Sequence, residues 1–112
     1  MLYNKDWDTP LTAVGKALMA GADLIEKHGL AKFVRQDSNG KLCFLGALDM
    51  VEGYSEDDHS KASKALVAAL GLTTLRDPRS AAADWNNKLE RTAQEVVDAM
   101  RLAARTTAKA MA

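Results

Sequence analysis

A chain of 112 residues with fifteen basic and fifteen acidic side chains fits one domain, and its cancelled charge leaves no whole-molecule field to draw it to nucleic acid or an anionic membrane. The single cysteine, Cys43, excludes an intramolecular disulfide, and a hydrophobic fraction of 47% with only 5% aromatics favours close helix packing over a sheet sandwich. No stretch has the length and apolarity of a signal peptide or a membrane span, so cytoplasmic residence without a membrane partner is the expectation.

Residues 1–8 read as an N-terminal extension that includes Trp7. Thr9-Pro10 then looks like an N-cap with proline at the first helical position, opening a helix over 9–28. Leu11, Val14, Leu18, Ala22 and Ile25 make its apolar stripe, and His28-Gly29 supplies the stop.

Asn39-Gly40 is a strong hairpin signal, because both residues accept the positive φ of a type I′ turn. It predicts a small two-stranded hairpin over 31–44, with Cys43 opposite Gln36. Such a hairpin is marginal alone and must lay Phe33, Leu42 or Phe44 against the helices.

From residue 45 to 112 the expectation is helical. Leu45–Val51 forms a short helix ending at Gly53, with Gly46 and Ala47 permitting close approach of another backbone. Ser55-Glu56-Asp57-Asp58 opens the next helix, which Gly71 stops. Residues 72–76 are a linker. Asp77-Pro78 starts a helix through Trp85, and Thr92-Ala93-Gln94-Glu95 is a capping box for the last one. Val96, Val97, Met100, Ala103, Ala104 and Thr107 mark its buried face, with Arg101, Arg105 and Lys109 on another.

Three pieces resemble a family of short, uncharacterised proteins of bacteria and their phages. They are Ala22-Asp23-Leu24-Ile25-Glu26, the run from Gly40 to Leu48 with its Cys43-Phe44-Leu45-Gly46-Ala47-Leu48 core, and Asp84-Trp85-Asn86-Asn87 with Arg91-Thr92 and Glu95-Val96-Val97. The resemblance implies a compact fold and carries no activity to these positions. Where the family usually has Asp after Trp-Asn, this chain has Asn87. Occurrence in phages makes interference with a host protein a candidate role.

Cys43 is the sharpest chemical candidate, since a thiolate near a strand-to-helix junction gains from amide N–H groups. A nucleophile also needs a base, and the two histidines are poorly placed. His59 should begin a helix at the far end of the one after Cys43, roughly 12 Å away at about 1.5 Å per residue. His28 is eight residues from Gln36 along an extended segment. The expectation is therefore a packed Cys43 and surface positions for His28 and His59. The enzyme alternative is a thiol-dependent hydrolase or transferase with Cys43, His28 or His59 as base, and Asn86 as orienter.

No HExxH, paired CxxC or calcium-loop pattern is present, and no glycine pattern suits phosphates, so no metal and no cofactor are expected. Trp85, Asn86 and Asn87 are the candidate binding group. Arg101, Arg105 and Lys109 form a short basic stripe, more suited to solvating a helix than to meeting nucleic acid.

The chain thus reads as mainly α, α+β in a strict sense: one domain of four or five helices with one small hairpin. By elimination, it binds a protein partner rather than catalysing a reaction. A homodimer through the alanine-rich last helix is a further expectation.

Overall fold

The computed structural model describes residues 12–51, 56–72 and 77–111. Thr12 accepts a hydrogen bond from the Gly15 N–H at 3.0 Å and caps the first described helix, α1 (Ala13–His28). The start expected at Thr9-Pro10 lies outside the described residues. Gly29 ends the helix where the sequence places the stop, at φ +96°, donating its N–H to the Ile25 carbonyl.

The remaining helices are α2 (Phe44–Asp49), α3 (Glu56–Leu70), α4 (Pro78–Asn86) and α5 (Ala93–Met111). Their ends follow the local chemistry. Asp77 accepts from the Ser80 N–H and hydroxyl, with proline at the first turn of α4. Those hydrogen bonds hold the Asp77 carboxyl below the usual carboxylate range. Thr92 and Glu95 cap α5 reciprocally, each side chain accepting the other's backbone N–H at 3.2 Å. Gly71 closes α3 at φ +65°. Gly53, the expected end of α2, and the linker at 73–76 lie outside the described residues, and α2 itself stops at Asp49.

α1 packs most extensively on α5, α3 packs against both, and α4 rests on α3 and α2. The core is built from Leu18, Ala22 and Ile25 of α1, Phe44, Ala47 and Leu48 of α2, Leu66 of α3, and Val96, Val97, Met100, Ala103 and Ala104 of α5. A Cβ at Gly21 would sit 2.8 Å from the Met100 methyl, the flexible end of a side chain that can shift to admit it. On the outer side of the same pair, Arg101 donates to Asp23 at 2.9 Å and to Glu26 at 3.2 Å. The radius of gyration, 13.5 Å, is that of a compact chain of this length.

The expected hairpin over 31–44 is not formed. Gly40 takes φ +83°, but Phe33 is the one non-glycine with positive φ among the described residues, so Asn39 does not adopt the type I′ conformation. Asp37 instead organises a wider turn, its Oδ1 accepting from the Asn39 and Lys41 N–H groups at 2.9 Å. Gln36 consequently faces Leu42, one residue from the expected register. Leu42 also forms a parallel bridge with Leu30, its N–H donating to Gly29 and its carbonyl accepting from Ala31. Phe33 at φ +67° breaks the would-be first strand. Two isolated bridges remain where a ladder was expected, and Leu42 and Phe44 are buried while Phe33 is not.

The close approach predicted at Gly46 is real: a Cβ there would lie 1.9 Å from the Arg35 carbonyl oxygen. Helix propensity favours Ala over Gly by only about 1 kcal/mol. A backbone clash of this depth outweighs it, since overpacking alone costs about 1–3 kcal/mol. Gly46→Ala is expected to lower the urea midpoint despite its better helix former, whereas an unchanged or raised midpoint would show that loop 32–36 yields freely.

Candidate functional site

α4 ends on two adjacent amides that face inward. Asn86 is fully buried. Its Oδ1 accepts the Phe44 N–H at 3.1 Å, and its Nδ2 donates to the Ala31 carbonyl at 3.1 Å and to Asn87 Oδ1 at 3.2 Å. Asn87 caps α4, and the same Oδ1 accepts the Phe33 N–H at 2.8 Å. Lys32 reinforces this join by donating from Nζ to the carbonyls of Lys88 and Leu89. Loop 32–36 is therefore clamped onto the end of α4 and the start of α2. Because Asn87 works here as an acceptor, a carboxylate would serve equally.

Between these elements lies a notch of about 150 Å³ with predominantly apolar walls, lined by Phe33, Val34, Cys43, Leu45 and Ala83 together with Arg35 and the two amides. Phe33 stands at its mouth, 79% exposed, next to the half-exposed Val34. Cys43 is the N-cap of α2, its Sγ accepting the Gly46 N–H at 3.3 Å. Burial pushes the thiol pKa up, more than the Gly46 and Leu45 amides and the Arg35 charge draw it down. The thiol is protonated at neutral pH.

The sequence candidates separate into distinct places. Asn86 lies beside Cys43 in the notch wall, but its amide is engaged by backbone. His28 is exposed at the end of α1. His59 is not the surface residue expected from its acidic neighbours; it is 1% exposed, with Nε2 3.2 Å from Asp49 Oδ1. The reason is tertiary: position 59 falls on the inward face of α3, opposite the C-terminal end of α2. Asp49 in turn accepts two hydrogen bonds from Arg35, at 2.8 and 2.9 Å, so Arg35, Asp49 and His59 join loop, α2 and α3.

Trp85 is half-buried, with the Arg91 guanidinium 4.2 Å over its ring. Arg91 also donates to the Trp85 carbonyl and to Glu95. Arg101 is matched by Asp23 and Glu26, while Arg105 is exposed; the side chain of Lys109 lies outside the described residues. No cluster of three or more His, Cys, Asp or Glu that would hold a metal occurs among the described residues. No helix there is long and apolar enough to cross a membrane.

Sequence reasoning missed Phe33 as the exposed residue, and the Arg35–Asp49–His59 link. The hairpin signal concealed the first, and the second has no local spacing because Arg35 and Asp49 belong to different elements.

Two of the three sequence pieces that resembled one family thus meet at this notch: the Cys43–Leu48 run and the Trp85-Asn86-Asn87 group. The chain belongs to a family of unknown function, DUF6197, whose model matches residues 9–106. No curated protein and no solved structure matches it.

Asn86→Ala would leave the Phe44 N–H and the Ala31 carbonyl without their partner, each costing roughly 1–3 kcal/mol when buried. A fall of roughly 10 °C or more in the thermal midpoint is expected, while Asn87→Asp keeps the acceptor and stays near the parent. A near-parental midpoint for Asn86→Ala would remove the amide as the clamp.

For Cys43, alkylation in the native protein is expected to be slower than in denaturant at every pH from about 5 to 9, given the ordinary thiol value near 8.5. The unfolded thiol ionises first, so this group's contribution to stability falls as pH rises past that value. Fast native labelling with a midpoint below it would mean an activated thiolate instead.

Proposed function

We propose that this protein is a small bacterial or phage accessory factor that works by binding another protein, modulating or inhibiting a host component through the notch at Phe33. The observation that carries the reading is the conformation of Phe33. A non-glycine residue at φ +67° costs on the order of 1–3 kcal/mol. Its side chain recovers none of this by packing inside, being 79% exposed.

Asn87 and Lys32 hold the strained loop in place, and the notch beside the ring suits one apolar side chain of a partner. Apolar cavities of about 150 Å³ accept a molecule the size of benzene. A rigid exposed aromatic next to a desolvated pocket is the usual composition of a binding hot spot. The other readings have less support: burial keeps the Cys43 thiol protonated, His59 is turned to Asp49, and Arg101 is matched by carboxylates.

Phe33→Asn separates binding from folding, because asparagine tolerates positive φ and removes the ring. The variant is expected to keep or raise the thermal midpoint and to lose, by tenfold or more, capture of the partner that the parent retains from host lysate. Equal capture of the same partner would overturn the reading.

A further inference from the structure

A second apolar surface lies away from this notch, a groove of about 720 Å³ between the start of α1, the middle of α3 and the C-terminal half of α5. Val14, Ala65, Ala68 and Thr107 line it, and Lys61 and Lys64 stand exposed along one side. Its volume falls within the roughly 300–1,000 Å³ of small-molecule sites, which combine mainly apolar walls with a few polar groups.

Lys61 and Lys64 are the charged residues among those described that line this groove. Three positions apart on α3, they are neighbours on one face, with Cβ atoms about 5–6 Å apart. Neither meets a carboxylate among the described residues. Like charges one turn apart on a helix repel, and an anion held between them relieves that repulsion.

We propose that this groove binds an unbranched aliphatic carboxylate, its chain along the apolar walls and its carboxylate between Lys61 and Lys64. The composition of the lining favours such a ligand over a protein. Protein interfaces are enriched in aromatic residues, Met and Arg and depleted in Lys and Ala, whereas this groove is walled by alanines and edged with lysines. No aromatic anchor stands there among the described residues, in contrast to Phe33 at the notch. Small side chains leave a trough for a slender chain, and the paired cations fix which end of it faces solvent. The site is separate from the notch, and neither depends on the other.

The intact ¹⁵N-labelled protein, titrated with decanoate below its micelle concentration, is expected to show saturable amide shifts at Val14, Ala65, Ala68 and Thr107, with Phe33 and Cys43 unmoved. Octanoate should bind about tenfold more weakly, since burying each methylene is worth roughly fourfold in affinity. Lys61→Glu combined with Lys64→Glu, both at exposed positions, should weaken decanoate by about tenfold or more and leave decanol unchanged. Ala68→Phe, which fills the groove from an exposed position, should weaken decanoate and decanol alike.

Shifts that grow without saturating, or that centre on the notch, overturn the proposal. So does decanoate binding that survives the lysine reversal or Ala68→Phe, or a lysine reversal that weakens decanol equally. Shifts at the same amides on dilution without decanoate would place a second copy in the groove and overturn it too. Phe33→Asn should leave decanoate binding at the parent level, so the two surfaces stand or fall separately.

Discussion

The buried amide of Asn86 is the interaction on which the rest of this architecture turns. It closes α4, yet two of its three hydrogen bonds run to the Phe44 N–H and the Ala31 carbonyl, distant in sequence, which would otherwise present unpaired backbone to the core, and the third joins it to the neighbouring Asn87. With no exposed surface at the site, a side chain with both a donor and an acceptor satisfies both backbone groups directly. An aspartate at position 86 would lack the donor for Ala31 when ionised, and a leucine would lack both groups.

What Asn86 organises is a junction rather than a sheet. α2 has only six residues, far below the length at which a helix holds itself together in water. It persists because Cys43 caps it, Asn86 receives its first N–H, and Phe44, Ala47 and Leu48 are buried against α1 and its neighbours. The Arg35 carbonyl rests on Gly46 from the other side, and Arg35 itself reaches Asp49 at the helix end. Loop 32–36 is thereby held at both ends, which is how Phe33 can be kept in a conformation it would not choose alone.

The two surfaces left open differ in kind. The notch at Cys43 is small, close to the conformational strain and built from segments fixed by hydrogen bonds. The groove along α3 is larger, walled by small residues and edged with lysines. Helices packed through alanine and glycine come close together, and such residues fill little volume beyond the contact line. An alanine-rich helical domain tends to leave recesses of this sort where three helices diverge.

Local chemistry made much of the helical framework legible. Caps at Asp77 and Thr92, stops at Gly29 and Gly71, the stripe through Leu18, Ala22 and Ile25, and the close approach at Gly46 were all readable, because each depends on residues within a turn or two. The hairpin was misread because Asn39-Gly40 reports only on the turn. Whether strands follow depends on what Leu42 pairs with, and it divides its bonds between Leu30 and Gln36. His59 was misread in the same way, as its acidic neighbours in sequence say nothing of Asp49 across the packing. The sequence by itself determined most of the helices, several of their ends and a buried stripe, since these follow from spacing along the chain. Only the tertiary structure decided which amide is buried, which aromatic is exposed and where the two open surfaces lie, because those depend on segments meeting that no periodicity links.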